Sequence, residues 1–119
     1  MISSYIDGYN RFDIDKMIAD FDNNIIFANI QNGETTMSLM GLTAFKQQAR
    51  QAEEFFYERA QTIKSFNHFD NCTEIEIDFK ASLAMDLPNG LKKGEQLNLS
   101  GKSIFEFDNN RIIRLTDIS

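Results

Sequence analysis

Helical spacing of apolar positions marks three segments in the first half of the chain. Ile2, Tyr5, Ile6 and Tyr9 recur at i, i+3, i+4 and i+7 and share one face of a short first helix. Ile14, Met17, Ile18 and Phe21 repeat the spacing, with Asp13 placed as the cap and Asp15 near the positive end of the helix dipole. Leu42, Phe45, Ala49, Ala52 and Phe56 step along a longer third helix, for which Thr43 is the expected cap. The consecutive rings Phe55, Phe56 and Tyr57 cannot all face one way on a helix. At least one of them should meet something other than the main core.

Alternation of period two dominates the rest. Asn24 to Ile30 is β-branched and aromatic, and Asn32-Gly33 is a hairpin turn signal ahead of a strand from Thr35 to Met40. From Thr73 to Leu87, the positions Ile75, Ile77, Phe79, Ala81, Leu83, Met85 and Leu87 alternate with polar ones, among them Glu74, Glu76, Asp78 and Lys80. Pro88-Asn89-Gly90 with Lys92-Lys93-Gly94 reads as an exposed hairpin end. Leu97, Leu99, Phe105 and Phe107 line one face of the next strand, and Asp108-Asn109-Asn110 turns into a last strand from Arg111 to Ile118. Ala60 to Asn71 reads as a further strand whose inward face the pattern leaves open. Helices early and antiparallel strands late predict an α+β fold with the helices on one face of the sheet. Strands long enough to cover three helices must curl, and a curled sheet leaves a concave pocket over them.

Size and charge narrow the function classes. The 119 residues are one core's worth of chain, and no linker or repeat divides them, so a single domain over 1–119 is expected. A formal net charge of -6 argues against nucleic acid, whose phosphates reward Lys and Arg. No apolar run approaches the roughly 18 residues of a membrane span. Met1 to Asn10 lacks the basic flank and apolar stretch of a secretion signal, so the expected location is cytoplasmic. The single cysteine, Cys72, excludes an intramolecular disulfide.

Common catalytic signatures are missing: there is no glycine-rich phosphate loop, no GxSxG elbow and no HExxH. No cofactor is expected. Asp13-Ile14-Asp15 begins like a calcium loop, but Met17 stands where an oxygen ligand is needed, so no metal is expected either. With the chain extended between them, His68 and Cys72 lie about 13 Å apart at ~3.3 Å per residue, too far for a nucleophile–base pair. His68 is left as a surface residue or a pocket donor.

Three landmarks carry a family likeness. Tyr5 to Phe27 contains an aromatic helix, the Asn10-Arg11-Phe12-Asp13-Ile14 break, a second helix running to Phe21, and a strand. This resembles the opening of the nuclear-transport-factor-2-like (NTF2-like) superfamily, in its SnoaL-like branch. Gly41-Leu42-Thr43-Ala44-Phe45 resembles the start of that family's third helix, and Phe107-Asp108-Asn109-Asn110-Arg111-Ile112-Ile113 its closing hairpin. The resemblance implies a cone-shaped α+β barrel with three helices packed on a curved, mostly antiparallel sheet. It also implies a homodimer through the outer sheet face, where Glu74, Glu76 and Asp78 would have to be offset toward Lys80 or an arginine.

It implies no single activity, because the fold hosts isomerases, cyclases, hydrolases, dehydratases and binding domains. Ketosteroid-isomerase-like members place a tyrosine where Tyr5 stands. Their proton-shuttling aspartate falls on Asn29, which cannot take a proton, and their second acid falls on Ser103. Isomerisation by that route is therefore not expected. Polyketide-cyclase-like members carry a functional acid in the last strand, often after a His-Trp pair. Asp117 matches the acid, while Leu115 and Thr116 stand in place of the pair. By strand parity with Ile113 and Leu115, Asp117 either points into the barrel or, as a terminal residue, frays into water beside Ser119.

The leading expectation is a small-molecule-binding domain with an apolar pocket for a small apolar or carbonyl-containing ligand. Tyr5, Asn29, Ser103 and His68 are its candidate polar groups. One alternative is an isomerase, cyclase or dehydratase that uses Asp117 as acid and base on a carbonyl compound. The other is a dimerisation or docking module presenting one of Phe55, Phe56 or Tyr57.

Overall fold

A computed structural model of the chain describes residues 1–88 and 90–119. Asn89, in the expected hairpin end, lies outside the described residues. The first helix, α1 (Ile2–Asn10), buries Ile2, Tyr5 and Ile6 as its spacing predicts. Gly8 permits the close crossing of α2 (Ile14–Ile18). A Cβ there would sit 2.6 Å from the Met17 nitrogen and 2.9 Å from the Asp13 carbonyl, both backbone atoms that cannot swing aside. Asp13 caps α2 as read, its carboxylate accepting from the Lys16 amide at 3.1 Å.

Three boundaries depart from the sequence reading. Phe21 is not on α2, which stops at Ile18; it opens the strand β1 (Phe21–Gln31) and is buried there. The helix α3 (Leu42–Glu53), which follows β2 (Glu34–Met40), is capped by Gly41 and not by Thr43, which lies inside its first turn. Gly41 has φ 91, a conformation that glycine adopts without strain, and its amide donates to Ile25 at 2.8 Å. Phe56 does not continue α3 but begins β3 (Phe56–His68). Of the three consecutive rings, Tyr57 is 61% exposed, while Phe55 and Phe56 are half-buried.

The remaining strands are β4 (Cys72–Leu83), β5 (Gln96–Asp108) and β6 (Arg111–Ile118). They complete one open, curled sheet in the order β2-β1-β6-β5-β4-β3, antiparallel throughout except for the parallel pair β1/β6. β4 ends at Leu83 and does not run to Leu87. The Ala84 amide donates to the Phe55 carbonyl at 2.7 Å, which draws the chain off the ladder and leaves Met85 exposed.

The open question of the β3 face has a structural answer. Ile63 pairs with Ile77 and Phe66 with Ile75, so Lys64 is the extra residue of a bulge that shifts parity by one. Arg59, Gln61 and Ile63 face inward before it; Phe66 and His68 share that face after it.

The core lies between the helices and the concave face of the sheet. Tyr5 stacks on Phe21 at 5.7 Å and meets Phe105 edge-on at 5.5 Å, and Phe45 contacts both Phe21 and Phe27. The helices do not cover the whole face. Leu99, paired with Phe79 on the inner side, is still 53% exposed.

Candidate functional site

Where the curled sheet outruns the helices it leaves a cleft. Its deep part, about 200 Å³, is walled by Tyr5, Tyr9, Phe27 and Phe45, with Asn29, Gln48, Arg59 and Asp117 as polar groups. A wider mouth of about 430 Å³ shares Tyr9, Asn29 and Asp117 with it and adds Ser103, Phe55 and Phe79.

Strand register assembles the polar row. Asn29 on β1 pairs with Asp117 on β6, and Asp117 pairs in turn with Ser103 on β5. Ser103 Oγ donates to Asp117 Oδ1 at 2.7 Å. The end of β6 does not fray. Ser119 donates to Ile30 at 2.9 Å and accepts from the Asn32 amide at 3.2 Å, which keeps Asp117 on the inner face.

Burial pushes the Asp117 carboxyl up to about 6, against the opposing effect of the Ser103 hydrogen bond. Burial also raises Tyr5 well above the usual phenol range, and the nearby charge of Asp117 adds to it. The Tyr5 hydroxyl therefore keeps its proton at any ordinary pH. Tyr9 is raised by burial too, with the Arg59 guanidinium working against it.

Asn29 lines both parts of the cleft, but its amide is engaged, donating to Thr36 Oγ1 at 3.2 Å. His68 is not brought to the others. It sits near the end of edge strand β3, where Nδ1 lies 2.9 Å from Thr73 Oγ1 and the ring stacks on Phe66. The chain from His68 to Cys72 is also not extended. The Phe69 amide donates to the Cys72 carbonyl at 2.8 Å, closing a hairpin in which His68 pairs with Thr73 and Cys72 with Glu106.

Arg59 is a charged group of the cleft that the sequence pattern did not reveal. It is only 4% exposed. Its Nε donates to the Tyr9 carbonyl at 2.8 Å, and its guanidinium carbon lies 3.7 Å from the Tyr9 ring centre and 4.6 Å from that of Phe12. Phe12 holds φ 56, the left-handed region that aromatic residues rarely adopt, where the chain reverses between α1 and α2. The signal that could have found Arg59 is a charged residue two positions before Gln61 and four before Ile63 on one strand face. The bulge at Lys64 hid which face that was.

Among the described residues, no group of three or more His, Cys, Asp or Glu side chains is arranged to hold a metal. No helix among them is long and apolar enough to cross a membrane.

No family model matches the sequence, and no curated protein matches it either. Solved structures do resemble it. A candidate polyketide cyclase from Xanthomonas campestris pv. campestris superposes with a TM-score of 0.82 at 20% identity, over 99% of this chain and 86% of that one. An NTF2-like protein of unknown function from Exiguobacterium gives 0.74 at 16% identity, over 98% and 94%. An epoxide hydrolase of the LEH-like type from Mycobacterium tuberculosis gives 0.76 at 13% identity, over 98% and 77%. At such identities the likeness is one of fold. The chain has the NTF2-like fold, an α+β cone built as the sequence landmarks implied.

Proposed function

We propose that the protein is a small-molecule-binding domain of the SnoaL-like kind. Its cleft takes a compact carbonyl compound with an apolar body, and Asp117 exchanges a proton with that compound. One observation carries this reading: a carboxyl group opens onto an aromatic-walled cavity, held there by Ser103 and titrating near 6. Such a group populates both protonation states around neutrality, which is what general acid–base chemistry requires. As a base, the Asp117 carboxylate takes a proton from the carbon beside the carbonyl, and the electron pair moves onto the carbonyl oxygen. The Tyr5 hydroxyl, neutral and buried, is the donor available to that oxygen. As an acid, Asp117 returns the proton to the carbon or to a newly formed alkoxide. The fold shared with a candidate polyketide cyclase supports this class of chemistry over hydride or phosphoryl transfer.

The test is deuterium exchange at the carbon between the carbonyls of an aromatic 1,3-diketone in D₂O, followed by proton NMR. The wild type should accelerate exchange, with the rate rising through pH about 6, and Asp117→Asn should fall to background. Binding without acceleration would leave a binding domain and remove the acid–base role. Absence of binding across a panel of such ketones would remove both.

A further inference from the structure

We infer that Arg59 is an anion-recognition residue and that the ligand of the cleft carries a single carboxylate for it. The inference rests on the cleft taking a carbonyl compound, as proposed above, and not on proton transfer at Asp117. Arg59 is permanently charged and almost wholly buried, yet among the described residues no ion pair includes it. A buried cation without a counter-ion is unfavourable unless something else meets it.

The protein supplies part of what is needed. Nε is satisfied by the Tyr9 carbonyl, and the Tyr9 and Phe12 rings flank the guanidinium. Nη2 is buried and makes no hydrogen bond among the described residues, while the guanidinium as a whole bears on the Tyr9 side chain. The group is thus fixed in place with an unused donor, and its residue lines the deep part of the cleft. A donor held in place before binding can meet an acceptor without the cost of ordering a free side chain.

The charge of the occupant follows from the same cavity. Among the described residues, Arg59 is the one cation lining its deep part, and Asp117 is the one acid. A monoanion neutralises the guanidinium. A phosphate dianion would bring a second negative charge into a cavity that already holds a carboxyl, with no second cation to receive it. Arg59 and Asp117 stand on β3 and β6, separated in the sheet by β4 and β5. The ligand that spans them has a carboxylate at one end and its carbonyl toward the other. It is a keto acid with an apolar middle.

Calorimetric titration with 4-oxo-4-phenylbutanoate and with its primary amide tests this on the wild type alone. The carboxylate should bind at least about tenfold more tightly, the effect of a charge-assisted hydrogen bond. Arg59→Gln should abolish the preference, Arg59→Lys should retain part of it, and Asp117→Asn should keep it. If Arg59→Gln fails to fold, the ¹⁵N resonance of the wild-type Arg59 side chain gives the same answer, since it should move with the acid and not with the amide. Equal affinity for acid and amide in the wild type would overturn the role of Arg59 while leaving the cleft a ligand site. Binding of neither would overturn both.

Discussion

Ser103 and Asp117 face one another directly across β5 and β6, and the serine hydroxyl donates to the carboxylate at 2.7 Å. The bond favours the ionised acid, whereas burial favours the neutral one. Burial prevails, and the group titrates near 6.

Replacing the donor should tip that balance further. In Ser103→Ala the carboxylate loses the hydrogen bond that Ser103 donates, so Asp117 should titrate above the wild-type midpoint of about 6. Ser103→Thr should stay close to wild type. The carboxyl carbon of Asp117, followed by NMR against pH, reports the midpoint directly. An unmoved midpoint in the alanine variant would show that the hydroxyl has no hold on the charge.

The same group makes stability depend on pH in a definite direction. An Asp side chain titrates near 3.8 when unperturbed and near 6 here, so the folded protein binds this proton more tightly than the unfolded chain. The stabilisation is complete below 3.8 and is lost as pH rises through about 6. At neutral pH the fold therefore carries a buried charge at a cost of about 1–3 kcal/mol. Asp117→Asn should be more stable than wild type by about that much at pH 7.5, with the difference closing toward pH 4. Urea denaturation at the two pH values decides it. A variant destabilised equally at both would mean that the carboxylate is supporting the fold.

Gly8 should not tolerate a methyl group. Its Cβ would press on backbone atoms of Asp13 and Met17, and α1 and α2 would have to separate. Gly8→Ala should lower stability by about 1–3 kcal/mol, although alanine favours helix more than glycine does. A thermal melt at or above the wild-type midpoint would contradict this.

Two copies should associate through the convex face of the sheet. Ile26, Ala28, Ile30 and Ile118 adjoin on that side, with Thr116 between Ala28 and Ile104 and the Arg114–Glu106 pair beside Ile26. The adjoining acids are partly offset already, with Lys102 4.0 Å from Glu74 and Lys64 3.8 Å from Asp78. Light scattering at micromolar concentration should give twice the 13.7 kDa of one chain, and more firmly so as salt screens the remaining acids. A 13.7 kDa species would reject it.

Most of the fold could be read from spacing because apolar periodicity and burial coincide over α1, β1, β4 and β5. The failures share a cause: a pattern can outlast the element that produces it. Phe21 and Phe56 continue helical spacing, yet each belongs to the following strand, where burial against the sheet and not the helix face determines its place. Leu87 continues an alternation after the ladder has lost its partner strand. Thr43 has the right chemistry for a cap, but the turn there needs a positive φ and so a glycine. At the site, strand parity gave Asn29 and Ser103 the inward face but left Asp117 between the barrel and a frayed end, and the backbone hydrogen bonds of Ser119 decide it. Arg59 escaped because the strand was read from Ala60, one residue too late, and because the extra residue at Lys64 broke the count on β3.

The place of β6 in the sheet has a kinetic consequence. It is the last strand in chain order, yet it lies between β1 and β5 and runs parallel to the former. Without it, the β1–β2 hairpin and the β3–β5 meander are separate sheets linked only through the helices. Joining them closes a loop of nearly the whole chain, a slow and late event for a non-local pairing. Because the joining strand also brings Asp117, a molecule caught short of that event has no acid in its cleft. Completion of the sheet and completion of the cleft are a single step, and refolding followed by the Asp117 carboxyl signal should lag no further than refolding followed by sheet formation.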